Sequence, residues 1–102
     1  MDAVAAAAER WLTKRRATGH HHATALEQRL VREGYRVESF EEAGRGWAVK
    51  VYDPRDARLW MTLWCVIADG RAAWEWVSTL PRLPADDLDG VLSFIQRWIG
   101  AA

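Results

Sequence analysis

The sequence predicts an α+β domain in which a four-stranded antiparallel meander is flanked by helices, in the order α-α-β-β-β-β-α. Three observations predict it. Asp69-Gly70 stands between two apolar, aromatic-rich runs, 59–68 and 71–78. An Asp-Gly pair in that setting is a strong hairpin signal, because a type I′ turn needs positive φ at both central residues. Upstream, Tyr35 to Glu42 and Trp47 to Asp53 alternate with period two, as half-buried strands do. On either side of the strands, apolar residues recur at helical spacing.

The turn fixes the register of the hairpin. With Asp69 and Gly70 central, Ala68 faces Arg71, Cys65 shares a face with Trp74, Leu63 with Trp76 and Met61 with Ser78. One face then carries Leu59, Met61, Leu63, Cys65, Ile67, Ala72, Trp74 and Trp76, and must be core. The other carries Trp60, Thr62, Trp64, Val66, Ala73, Glu75 and Val77, which is mixed.

Taken in order, residues 2–17 read as a first helix. Asp2 is a good N-cap, alanine has the highest helix propensity, and Lys14, Arg15 and Arg16 suit the negative end of the dipole. Val4, Ala8, Trp11 and Leu12 form its stripe. Thr18-Gly19 reads as a break, giving either two helices in a tight corner or one kinked helix. A second helix from about His20 to Glu33 buries Ala23, Leu26, Leu30 and Val31, with Gly34 at the C′ position.

Strand one spans Tyr35 to Glu42, and Ala43-Gly44-Arg45-Gly46 turns into strand two, Trp47 to Asp53. Residues 54–58, PRDAR, form a loop opened by Asp53-Pro54. Pairing Val51 with Met61 and Val49 with Leu63 keeps the aliphatic residues on one side, so that register is expected. Leu80-Pro81-Arg82-Leu83-Pro84 leaves the sheet, since two prolines make a poor strand. The last helix is expected over Pro84 to Ile99. Asp86, Asp87 and Asp89 stand in its first turn, Leu88, Val91, Leu92, Ile95, Trp98 and Ile99 form its stripe, and Gly90 is its weak point.

The helical stripes have one place to go, the face carrying Trp47, Val49, Leu63 and Trp74. The opposite face is then left open. It would hold Phe40, Tyr52, Trp60, Trp64, Lys50 and Arg36, with Glu38 and Glu75 among them. Rings in that position can meet another protein, hold an apolar ligand or stack bases.

Bulk properties narrow the function. The 102 residues leave room for a single domain, residues 1–102. Lysine plus arginine and aspartate plus glutamate both number 14, so the formal charge is zero. That removes the electrostatic footprint of a duplex nucleic-acid or membrane-surface protein. It also leaves little charge repulsion against self-association. The helix–strands–helix order resembles the double-stranded-RNA-binding domain, which sets a lysine cluster at the start of its last helix. Here Asp86, Asp87 and Asp89 occupy that place, so the electrostatics are reversed. One cysteine, Cys65, excludes an internal disulfide and suits a reducing cytoplasm. The charges of residues 1–16 follow the apolar run, the opposite of a secretory leader.

No constellation announces catalysis. Cys65 falls mid-strand on the core face, where thiols pack inertly. His20-His21-His22 project about 100° apart on a helix and cannot converge on one metal ion. Glu41, Glu42, Asp53, Asp56 and Asp69 fall in turns, where carboxylates are ordinarily solvated. The expectation is a non-enzymatic cytoplasmic interaction module, adaptor-like or chaperone-like, without metal or cofactor. It is expected to self-associate as a homodimer through the aromatic sheet face. The alternative is a small-ligand or single-stranded nucleic-acid binder using the same face.

Overall fold

The computed structural model describes residues 2–77 and 80–102. Its order is α1 (Asp2–Arg32), β1 (Val37–Glu42), β2 (Gly46–Asp53), β3 (Asp56–Ala68), β4 (Arg71–Glu75), β5 (Leu83–Pro84) and α2 (Leu88–Ile99). The strands form one antiparallel sheet in sequential order, β1-β2-β3-β4-β5. The sheet therefore has five strands where the sequence predicts four.

The central hairpin forms as its turn chemistry dictates. Asp69 and Gly70 adopt φ of 52° and 75°, as type I′ requires. Ala68 pairs with Arg71 and Cys65 with Trp74. Val49 lies opposite Leu63 and Val51 opposite Met61. The ladder stops at Trp64 opposite Glu75, so Trp76 is not paired with Leu63. Trp76 packs edge-on against Phe94 and Trp98 of α2 instead. The expected Met61–Ser78 pair lies outside the described residues.

Both helices cover one face. Ala23, Leu26 and Leu30 of α1 and Val91, Leu92, Ile95 and Ile99 of α2 meet Val49, Val51, Met61, Leu63, Cys65 and Trp74. Trp74 sits fully buried at the centre, and among the described residues its indole N–H finds no acceptor. Tyr35 adds a tie across the core, donating its hydroxyl to the Gly100 carbonyl at 2.5 Å.

Four expectations are corrected. The first is the break at Thr18-Gly19. α1 is one continuous helix of 31 residues. Gly19 is buried against Trp47, and a Cβ there would stand 3.1 Å from Trp47 Cδ1. The glycine is selected by close approach of helix to sheet, not by a turn. The helix ends at Gly34, φ 96°, where Tyr35 N–H donates to Leu30 C=O and Gly34 N–H to Val31 C=O. That is a Schellman cap, as the glycine predicts.

The second correction follows from the first. A straight helix carries residues 2–17 past the end of the sheet, so their stripe does not reach the core. Val4 is 75% exposed, Trp11 59% and Leu12 46%. The molecule measures 54 × 22 × 22 Å, its long axis reflecting this overhang. Val31, expected in the buried stripe of the second helical segment, is also exposed.

The third concerns the loops. Residues 54–58 are not all loop, because β3 begins at Asp56 after the short Pro54-Arg55 turn. Leu83–Pro84 pairs with β4 as a two-residue edge strand. An edge tolerates proline because its missing N–H faces away from the ladder. The following residue resumes pairing, Ala85 N–H donating to Ala72 C=O at 3.1 Å. α2 consequently starts at Leu88 and not at Pro84. Asp87 caps it, accepting from Gly90 N–H at 3.0 Å. The space a Cβ of Gly90 would take is filled by that carboxylate, so this residue serves the cap.

The fourth is Asp53, expected as a solvated turn former. It is 6% exposed and accepts from Arg55 N–H at 2.8 Å and from its guanidinium at 3.3 Å. These bonds, the backbone one first, hold its carboxyl below the usual range.

Candidate functional site

Alternation along four strands builds the face opposite the helices. Register aligns its side chains in rows across the sheet. Tyr52 stands opposite Trp60, and Lys50 lies between Glu38 and Thr62. Phe40, Ala48, Trp64 and Glu75 make the next row. Arg36, just before β1, adjoins Tyr52, whose N–H donates to the Arg36 carbonyl. All six residues expected on this face, Arg36, Phe40, Lys50, Tyr52, Trp60 and Trp64, are brought together there, and no helix covers them.

The rings are covered by cations instead. The Arg45 guanidinium lies 3.8 Å from the centre of the Trp64 ring. The Lys50 ammonium sits 4.2 Å from the Trp60 ring and 4.9 Å from Tyr52. The Arg36 guanidinium lies 4.6 Å from the centre of the Tyr52 ring. A cation over an aromatic face is attracted by the ring quadrupole. Phe40 meets Trp64 edge-on at 5.6 Å, an arrangement that same quadrupole favours.

The two tryptophans of β3 end in different states. Trp64 is 8% exposed, shut in by Arg45 and Phe40, whereas Trp60 is 54% exposed. Leu59, expected among the core residues of the opposite face, is exposed as well, since it lies near the start of β3. Sequence reasoning missed Arg45 because it belongs to the β1–β2 turn and reaches the sheet by side-chain length alone. It also missed Arg82, which pairs with Glu75 at 2.9 Å from the far side of the sheet. Arg36 and Glu38 form a looser pair at 3.9 Å. Charge on the face is thus interleaved rather than segregated.

The other candidate chemistry is dispersed. Burial pushes the Cys65 thiol up to about 11, which makes it a poor nucleophile near neutrality. His20 packs against the Trp47 ring at 4.8 Å, and His21 stands edge-on to His22 at 5.2 Å. His22 turns toward a cavity bordered by Arg71, Arg82, Pro84 and Asp86. Among the described residues no group of three His, Cys, Asp or Glu side chains is placed to hold a metal ion. None of the described helices is long and apolar enough to cross a membrane. Comparison with protein-family models, with curated proteins and with solved structures finds no match.

Proposed function

We propose that this chain is a non-enzymatic protein-interaction module, adaptor-like or chaperone-like, whose partner binds the outer sheet face. One observation carries the reading. The face without a helix holds a contiguous aromatic row, and Trp60 on it is half exposed. An indole left in water forgoes about 25 cal/mol for each Å² of apolar surface that a partner would cover. Tryptophan, tyrosine and arginine dominate the energetics of protein interfaces for this reason. The interleaved Arg36, Glu38, Lys50 and Glu75 supply the polar surround such an interface has.

The test is a photo-reactive amino acid placed at Trp60 and, separately, at exposed Gln28 on α1. Cross-linking in native extract is expected to give a discrete protein adduct from position 60 alone. Equal, diffuse adducts from both positions would end this reading. A second reading draws on the three cations at the rings. Single-stranded nucleic acid would use cations and stacking together. The cations already occupy ring faces that bases would need, so this reading stands second. Salt-dependent fluorescence anisotropy with a labelled oligonucleotide distinguishes it.

A further inference from the structure

A cavity of about 350 Å³ lies between α1 and the end of the sheet, on the side away from the aromatic face. Small-molecule sites ordinarily measure about 300–1,000 Å³. Leu12, Arg15, Arg16 and Gly19 recur at spacings of three and four, so one face of α1 roofs it. Trp47 of β2 and Cys65 and Ile67 of β3 stand beneath. Glu41 lies opposite Trp47 in the ladder and so shares that side, and Glu42 ends β1 at the cavity's edge.

The cavity has an apolar bed and a charged mouth. Ile67 belongs to the core face by alternation, yet it is exposed, and so is Leu12 on the roof. The charges divide by element, with both cations on the helix and both carboxylates on the strand. Among the described residues none of Arg15, Arg16, Glu41 and Glu42 forms a salt bridge. Arg15 lies 5.3 Å from the centre of the Trp11 ring. Arg45 also borders the cavity, but its guanidinium is engaged on Trp64 at the outer face.

We propose that this cavity binds a free amino acid with an apolar side chain, held as its zwitterion. The ligand carboxylate meets Arg15 and Arg16, a charge-assisted pairing that guanidinium geometry favours. The ammonium group meets Glu41 and Glu42. The side chain covers Ile67 and Leu12 beside the Trp47 ring, removing apolar surface from water. Charge complementarity selects this class of ligand. A simple anion would meet the two carboxylates, and a simple amine would meet the two guanidinium groups. Each would be opposed by like charge while leaving the groups of opposite sign unserved.

Amide NMR titration of the full chain tests the assignment with three probes. They are L-leucine, isocaproate, which is leucine without its amine, and isoamylamine, which is leucine without its carboxylate. L-leucine is expected to give saturable shifts at Gly46, Trp47 and Cys65. Each half-ligand is expected to bind about tenfold more weakly or worse. Glu41→Gln is expected to weaken L-leucine and tighten isocaproate. Arg15→Gln is expected to weaken L-leucine and isocaproate and to spare isoamylamine. The wild-type comparison of the three probes stands without either variant, and each variant's own amide spectrum reports its fold. No saturable shift with L-leucine would overturn the proposal, as would shifts confined to the outer face. So would isocaproate or isoamylamine binding as tightly as L-leucine, or two folded variants that bind all three probes as wild type does. None of these outcomes touches the cross-linking result at Trp60, so the two readings stand or fall separately.

Discussion

Gly19 and Trp47 touch where α1 crosses the edge of the core, and a single added carbon would bring them to 3.1 Å. The helix lies this low on the sheet because that carbon is missing. Alanine in place of glycine gains about 1 kcal/mol of helix propensity. The Trp47 ring, which borders an open cavity, has to give by a few tenths of an ångström. Gly19→Ala is therefore expected to lie within about 1 kcal/mol of wild type. Gly19→Leu has no such room and is expected to cost about 1–3 kcal/mol by overpacking. Urea titration checks both, and equal stabilities for leucine and alanine would show that the contact is not close.

Leu63 and Thr62 are neighbours on β3 with opposite fates. Leu63 is fully buried between the sheet and the helices, whereas Thr62 lies on the outer face. Leu63→Ala is expected to destabilise by about 2–5 kcal/mol, the transfer loss plus the cavity left behind. Thr62→Ala, at a half-buried position that leaves no core cavity, is expected to cost far less, at about 1 kcal/mol or below. Comparable losses in denaturant would mean that the faces of β3 are exchanged.

The parts of this fold legible in the sequence are those fixed by local rules. Asp69-Gly70 set a turn, the turn set a register, and period-two alternation carried it to Val49 and Val51. The choice of face followed, because only one side could bury Leu63, Cys65 and Trp74. The misreadings share a different cause. Gly19 and Pro84 carry strong local signals for breaking structure, and tertiary contact overrode both. Glycine permits a turn, yet it equally permits a ring to lie on the helix backbone. Proline breaks a central strand, yet an edge strand does not need its N–H. Arg45 over Trp64 was not legible because register says nothing of where a long turn side chain lies. Nor does helical periodicity reveal whether Val4, Trp11 and Leu12 have anything beneath them.

Arg45 makes Trp64 part of the monomer while Trp60 stays open. Trp64→Ala is expected to cost about 3–5 kcal/mol, in the range of buried aromatic truncations. Trp60→Ala is expected to cost far less, its ring being half in water. Arg45→Ala should fall between them, at about 0.5–1 kcal/mol for an exposed cation–π contact. Thermal or urea unfolding ranks the three variants. A Trp60 loss as large as that of Trp64 would show that both rings are structural.

His22 is held below its ordinary pKa, first by burial between α1 and the β4–β5 edge and then by the neighbouring charge of His21. Asp86 across the cavity pulls the other way, and Arg71 and Arg82 stand at the same cavity. The folded state thus binds a proton at this site less readily than the unfolded chain does. Below the ordinary value of 6.5 the unfolded chain takes up a proton that the folded one refuses. Stability is therefore complete above that value and declines as pH falls through it, levelling off once the folded histidine is also charged. Asp53 and Asp56 act lower. Their hydrogen bonds to Arg55 and Arg58 hold both carboxyls below 3.8, so stability from them is lost only at more acid pH. The two effects separate cleanly along the pH axis. His22→Gln is expected to flatten the stability profile between neutrality and pH ~5 and to leave the acid limb in place. Urea midpoints measured at half-unit pH steps check this. An unchanged slope in the glutamine variant would show that the neutral-to-acid loss does not come from His22.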